Sequence, residues 1–322
     1  MRFKPGTVLA CVLLQVIVGA VVADPAQATV DSLSSARLQY EDAVQAIDRG
    51  HWTEYQQLRS GLEDYPLAVY LDYNSLTRRV DKVRPPEAQR FLESSADTPL
   101  PNRFLSVYLH RAGKQRRWQD YLAVMPREPN SIELKCYYFR ARLAQGDRAA
   151  AWEGAERLWV HGQSRPKACD PLFEAWLSAG ELSDGVVWAR LIEAFEARQS
   201  SLMKYVARQG SEALQPWSDR LLEVYRKPDQ MRRQKLPPGK AYSTDIARLG
   251  VARLARYNPE LALDYWEEYR EELEFTLEYS REVEYAIARS ALLSETGSLA
   301  LWLHEALARL EDDKLVEIRL RW

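Results

Sequence analysis

Residues 151–162, Ala-Trp-Glu-Gly-Ala-Glu-Arg-Leu-Trp-Val-His-Gly, decide the fold of this chain. Gly146-Asp147 lie just before this segment and are typical of a helix break. Within the segment, four apolar residues recur three or four positions apart, the spacing of one helix face: Trp152, Ala155, Leu158 and Trp159. The segment therefore predicts a helix over 149–159 that forms one arm of a helical hairpin.

Working outward, each neighbouring segment also predicts a helix. Cys136-Tyr137-Tyr138 lie on the helix before the hairpin turn. On the other side, Cys169 precedes Asp170-Pro171, which we interpret as the N-cap and the first turn of the next helix. One bond between the two cysteines would then clamp three consecutive helices.

The rest of the chain repeats this layout. Glycine or proline interrupts the helical pattern about every 15 to 20 residues, and alternating apolar runs with hairpin turns are missing. Gly113 and Gly146 are separated by about one two-helix repeat, as are Trp118 and Trp152. We predict an all-α protein, a right-handed superhelical solenoid of short helical hairpins. The 10 Trp and 17 Tyr fit as wedges between helices, although a sugar-stacking platform is an alternative.

The N-terminus has the three parts of a signal peptide. Arg2 and Lys4 give a positive start, residues 8–22 are apolar, and Ala26-Gln27-Ala28 form a small-residue cleavage site before Thr29. We predict a signal peptide over 1–28, export to the periplasm and no stable membrane insertion after its removal. Cutting after Ala23 is the weaker alternative.

Of the three cysteines, Cys11 lies inside the predicted signal peptide. Lipidation of Cys11 is disfavoured because most of the apolar run follows it. The remaining pair, Cys136 and Cys169, is an even number in an exported chain, which favours a disulfide. We expect their Cα atoms within about 7 Å. Two separate buried thiols are the alternative.

Charge argues against nucleic acid as a partner, because the formal net charge is -2. Residues 227–240 are mainly basic and residues 260–284 mainly acidic. We interpret them as a solvated loop and a solvated helix face; a docking surface for an anionic polymer is the alternative. The run from Glu267 to Tyr285 predicts one long amphipathic helix with an apolar stripe: Trp266, Leu273, Leu277 and Tyr285.

No catalytic, metal or cofactor site is expected. The four histidines are far apart in sequence and adjoin no motif serine: His51, His110, His161 and His304. Ligand spacings for a metal are missing, and so are glycine-rich phosphate loops.

Two blocks of the chain carry a family resemblance. The first comprises 136–138 and the pattern from Ala151 to Phe173, and the second comprises 62–67 and 70–73. Both resemble the N-terminal helical domain of soluble lytic murein transglycosylases, and the clear similarity covers residues 30–180. The resemblance implies that this domain forms the wall of a ring that guides peptidoglycan strands and braces a C-terminal lysozyme-like catalytic domain.

In that family, catalysis uses a Glu followed by Ser, supported by downstream Gly-Leu-Met-Gln and Ala-Tyr-Asn segments. The only Glu-Ser here is Glu93-Ser94, which has neither segment and which we interpret as a helix C-terminus. We therefore expect a helical domain over 29–322, truncated at its C-terminal end before the catalytic domain and inactive alone. Peptidoglycan is expected to bind mainly through that missing domain and only weakly to this chain. The helical spacing of Leu315, Ile318 and Trp322, with no stop signal after it, supports truncation.

Two other functions remain open. One is a stand-alone periplasmic repeat adaptor that binds a protein or peptide. The other is an enzyme with an unrecognised site among the scattered acidic residues.

Overall fold

The computed structural model describes residues 25–294 and 297–310, together with Glu317 and Leu320. Within this part of the chain every regular element is a helix, so the all-α prediction is confirmed. The described residues divide into two compact units, one that ends at Arg111 and one that begins at Ala112.

Several predictions fall wholly or partly outside the described residues. These are the signal segment up to residue 24, including Cys11, and the helical spacing of Leu315, Ile318 and Trp322. The predicted cleavage position between Ala28 and Thr29 falls within the first helix, whose backbone is described from Pro25. The signal peptide and the boundaries of the 29–322 domain stay predictions.

The first unit contains α1 to α5, and the unit boundary lies within α5. Their bounds are α1 Pro25–Arg49, α2 Trp52–Ser60, α3 Ala68–Arg78, α4 Pro85–Ser94 and α5 Leu100–Lys114. Seven buried residues of α1, α2, α3 and the α2–α3 loop make its first core cluster: Ala43, Ala46, Ile47, Tyr55, Leu62, Ala68 and Leu71.

The second family block lies in this core. Leu62 and Leu71 are almost fully buried. Asp72 accepts hydrogen bonds from both Nε and Nη2 of Arg59, at 2.9 and 2.8 Å, and from the hydroxyl of Tyr55 at 2.8 Å. The block therefore ties α2 to α3 by apolar burial and a two-point ion pair.

The second unit contains the remaining helices. Their bounds are α6 Trp118–Val124, α7 Ile132–Ala144, α8 Arg148–Trp159, α9 Asp170–Ser178, α10 Asp184–Glu196, α11 Ser200–Ala207, α12 Gln215–Arg226, α13 Ala241–Ala255, α14 Pro259–Glu272, α15 Leu277–Leu293 and α16 Ala300–Leu310. Short 3-10 helices cover Lys167–Cys169, Pro228–Arg233 and Gly297–Leu299. Helices adjacent in sequence pack on one another along most of this unit, as expected of stacked hairpins.

The hairpin at the centre of the prediction forms where expected. α7 ends at Ala144, and Gly146 adopts a φ of 87°, a left-handed conformation that favours glycine. Asp147 then caps α8, because its Oδ1 accepts the backbone N–H of Ala150 at 3.2 Å. Trp152 is only half-buried, whereas Ala151 and Gly154 are buried. The buried face of α8 is thus rotated from the predicted one.

The predicted N-cap of α9 is wrong. The 3-10 helix Lys167–Cys169 runs directly into α9, so that Cys169 is the cap residue and Asp170 is the first helical residue. Cys169 already has a helical backbone, so Asp170 lies inside the helical segment and does not adopt the extended conformation of an N-cap residue. Pro171 lies in the first turn, as predicted.

The long helix predicted from Glu267 to Tyr285 is also wrong. α14 ends at Glu272, Leu273 is extended, and α15 starts at Leu277, which is 74% exposed. Thr276 causes the restart, because its hydroxyl accepts the backbone N–H of Tyr279 at 3.2 Å as an N-cap. The break lets Phe275 pack against Trp266, with ring centroids 4.8 Å apart.

Candidate functional site

A disulfide holds the helices around the central hairpin. The structure joins Cys136 of α7 to Cys169, just before α9, with the Cα atoms 4.8 Å apart. Both residues are fully buried. This is the pair expected from the cysteine count, and it links the helices on either side of α8.

Two contacts in these helices explain residues of the first family block. A Cβ atom on Gly154 would lie 2.4 Å from the ring of Phe139, so any larger residue there would force the ring or the helices α7 and α8 to shift. On the other side of α8, Trp159 and Trp176 meet edge to face with centroids 5.8 Å apart, and both are 1% exposed. The block is therefore a packing motif that fixes α7, α8 and α9.

A cleft opens beside this packed group, and we call it the Arg190 cleft. It has a volume of about 420 Å³ and is lined by parts of α8, α9, α10, α11 and the α8–α9 loop. Trp159, Phe173 and Tyr205 supply aromatic walls, and Tyr205 is 48% exposed. Two arginines and two acids are the charged residues of the lining: Arg165, Arg190, Asp170 and Glu174.

Arg190 is the unusual residue of the cleft. It is only 4% exposed, and its guanidinium lies 4.3 Å above the Trp159 ring. Among the described residues it forms no ion pair, and its buried Nε has no hydrogen-bond partner. Burial lowers the pKa of Arg190 to about 10; Tyr205 opposes this shift and Arg165 adds to it, and Arg190 stays charged at neutral pH.

The other charged groups of the cleft are less buried. Arg165 is half-buried, and its Nε donates to the carbonyl of Leu158 at 2.7 Å. Burial lowers the pKa of Arg165 as well. Asp170 and Glu174 are exposed. The cleft thus combines one deep cation and a second, shallower one with two solvent-facing carboxylates.

A second cluster of charged residues lies in the same unit, and its buried arginine is paired with carboxylates. Arg248 is 6% exposed and donates to both carboxylate oxygens of Glu282 at 2.9 Å and to Glu196 at 3.3 Å. It also contacts Asp245, which accepts from the indole N–H of Trp188 at 2.8 Å. The cluster ties α10, α13 and α15 together, and its buried cation is neutralised within the protein.

One carboxyl group in that cluster has a raised pKa. Burial is the largest cause at Glu282, with repulsion from Glu196 and Glu278 added, and these outweigh attraction to Arg248. A raised carboxyl pKa is one mark of a general acid. Glu282 is nevertheless clamped by two hydrogen bonds from Arg248, so we interpret it as structural.

The residues weighed for catalysis are dispersed. Glu93 is exposed in the last turn of α4, the helix end expected for it. The four histidines lie in four different segments: His51 before α2, His110 in α5, His161 after α8 and His304 in α16. Within the described part of the chain no three His, Cys, Asp or Glu side chains cluster as metal ligands.

The basic segment is more ordered than a solvated loop. Its 3-10 helix, Pro228–Arg233, places Met231 in the core with no exposed surface. Arg232 pairs with Glu268 of α14 at 2.5 Å and stacks on Tyr265 at 4.1 Å. The basic and acidic segments therefore contact each other, which leaves less free positive charge for an anionic polymer than the sequence indicated.

Sequence reasoning did not find Arg190 or Arg248. A signal for Arg190 existed, because it occupies an apolar position of α10 between Val187 and Ala194, which are fully buried. A charged residue at such a position indicates either a buried ion pair or a binding site.

No described helix is both long and apolar enough to cross a membrane.

Comparison with solved structures gives the class of fold. The 70 kDa soluble lytic transglycosylase of Escherichia coli matches with a TM-score of 0.70 and 24% identity, over 88% of this chain and 46% of that one. An inactive mutant of the lytic transglycosylase Slt from Pseudomonas aeruginosa matches with a TM-score of 0.68 and 31% identity, over the same shares. The superhelical all-α fold class is thereby confirmed, while its right-handed sense stays a prediction.

Curated relatives identify the family resemblance. The soluble lytic murein transglycosylase of Salmonella typhimurium is 26% identical over 296 residues, which are 91% of this chain and 46% of that protein. The chain matches the N-terminal part of soluble lytic murein transglycosylases, as the two blocks indicated. It spans about half the length of the curated relatives it matches.

One family model also matches a shorter stretch. Residues 150–234 resemble the Cucumovirus coat protein family. In this chain the stretch runs from α8 to just beyond the 3-10 helix Pro228–Arg233. Because the match covers less than half of the chain, it assigns no family.

Proposed function

We propose that this chain forms the helical scaffold of a periplasmic peptidoglycan lytic transglycosylase. The observation that carries the proposal is the continuous match to soluble lytic murein transglycosylases over 91% of the chain. In this role the helices guide murein strands and brace a lysozyme-like catalytic domain, which corresponds to the part of the relatives that this chain does not match.

Export supports the proposal. The predicted signal peptide, cleaved between Ala28 and Thr29, would deliver the chain to the periplasm, where murein lies. The disulfide between Cys136 and Cys169 fits the same compartment, because such bonds persist where the environment is oxidising.

Cleavage of the glycan is not proposed for these residues. A general acid needs a shielded position within hydrogen-bond reach of the glycosidic oxygen. Glu93 is exposed, and Glu282 is held by Arg248. The chain alone is therefore expected to be inactive on murein.

The test is digestion of purified sacculi by the full chain, with chromatography for 1,6-anhydromuropeptides. We expect no product from the chain or from its Glu93→Gln variant. Product abolished by Glu93→Gln would make Glu93 catalytic and overturn the scaffold proposal. Product that persists in the variant would reveal another acid and overturn it equally.

A further inference from the structure

The Arg190 cleft contains a buried cation without a counter-ion. Removing a guanidinium from water is unfavourable unless an anion compensates it. Arg248, at 6% exposure, is compensated by Glu282, Glu196 and Asp245. Arg190, at 4% exposure, pairs with no described carboxylate, and it lines an open cleft. A ligand with an anionic group would compensate the charge of Arg190.

The cleft limits what that ligand can be. Arg165 adds a second positive charge to the lining, which suits an oxyanion. The exposed carboxylates of Asp170 and Glu174 repel a polyanion and attract an amine. The aromatic walls suit an organic ligand, and about 420 Å³ accommodates a small one, within the size range of ligand pockets.

We propose that the Arg190 cleft binds a short peptide, with a carboxylate against Arg190 and Arg165 and an amino group toward Asp170 and Glu174. The choice of peptide rests on the proposed function, because the peptide stems of murein carry free carboxylates and an amine. The cleft then holds a stem of the strand that the scaffold guides.

The first experiment is calorimetric titration of the full exported chain with the murein tripeptide L-Ala-γ-D-Glu-meso-diaminopimelate. We expect saturable binding, weakened at least tenfold when the tripeptide carboxylates are amidated. Absence of tripeptide binding would overturn the proposal. Inorganic phosphate that binds as tightly as the tripeptide would reassign the cleft to simple anions and also overturn it.

Variants separate recognition from packing. Arg190→Met keeps an unbranched apolar chain over Trp159 and is expected to weaken tripeptide binding at least tenfold. Arg220→Met is the matched control, because Arg220 also stacks on a tryptophan, Trp217, at 4.8 Å but lies outside the cleft. Equal affinity of the Arg190→Met variant and the unaltered chain would refute the site.

Stability provides a readout that a purely structural arginine would not give. Removing an uncompensated buried cation is expected to leave the urea midpoint of Arg190→Met unchanged or higher. If that variant unfolds, the less buried Arg165→Gln substitutes for it and, while remaining folded, is expected to lose at least threefold in affinity. Unchanged affinity in Arg165→Gln would then overturn the proposal.

Sedimentation with whole sacculi separates this inference from the proposed function. If the chain sediments with sacculi but does not bind the tripeptide, the cleft assignment fails and the scaffold function stands. If it binds the tripeptide but does not sediment, the peptide site stands and the scaffold function fails.

Discussion

Opening the disulfide between Cys136 and Cys169 should destabilise the second unit by a predictable amount. The two residues are 33 positions apart in sequence. Chain-entropy arguments for a loop of this length give roughly 3–4 kcal/mol. With a urea dependence of about 2–3 kcal/mol/M, as expected for a unit of this size, the midpoint should fall by roughly 1–2 M on reduction.

Tryptophan fluorescence during urea unfolding is the assay, because Trp159 and Trp176 are almost fully buried in the same unit as the bond. Reduction is preferable to substitution as the primary perturbation, since it keeps both sulfur atoms in the core. The Cys136→Ala/Cys169→Ala variant is the control, and reductant should not move its midpoint.

Two results would refute the reasoning. One is an unchanged midpoint of the unaltered chain under reductant. The other is alkylation of Cys136 or Cys169 in unfolded protein that was never reduced, since bonded cysteines do not react.

Three further predictions concern single positions. Gly154→Ala should lower the free energy of unfolding by about 1–3 kcal/mol, because the added methyl group would clash with the Phe139 ring. Gly185→Ala is the control, since this helical glycine is uncrowded and its substitution should not lower the free energy of unfolding. Equal urea midpoints for the two variants would contradict the prediction. Burial raises the pKa of Glu282, so the folded state holds its proton more tightly and this group's stabilising contribution grows as pH falls through the folded pKa. The free energy of unfolding of the Glu282→Gln variant minus that of the unaltered chain, measured by urea unfolding, should therefore decrease from pH 7 to pH 4. An increase in this difference would contradict the prediction. Mass spectrometry of exported protein should find Thr29 at the mature N-terminus, and an intact Met1 would exclude it.

Local signals in the sequence predicted much of the fold. Gly146 and Asp147 mark the turn between α7 and α8 through backbone conformation and side-chain capping, both of which depend on adjacent residues. Helical spacing likewise placed Ala155 and Trp159 in the core. Such features can be predicted from the sequence because they depend on residues within one or two helical turns of each other.

The corrected elements depended on competing local structure. At Asp170, a 3-10 helix took over the start of α9. Near Thr276, a capping hydroxyl restarted the helix within a run whose charge pattern looked continuous. In each case two local signals in the sequence conflicted, and the structure follows the one that provides hydrogen-bond partners for the backbone N–H groups at the start of the helix.

The charged clusters needed the tertiary structure. Trp188 and Asp245 are 57 positions apart, and Arg248 and Glu282 are 34 apart. No local spacing links residues at such distances. Whether the buried Arg190 has a carboxylate partner is likewise visible only once the helices are packed.

Co-sedimentation of the full exported chain with purified sacculi tests the central claim most directly, with chitin as a glycan control that carries no peptide stems. If the chain is the scaffold of a murein-processing protein, it should pellet with sacculi and remain in solution with chitin. A chain that stays in the supernatant with sacculi, or that pellets equally with chitin, would contradict the account.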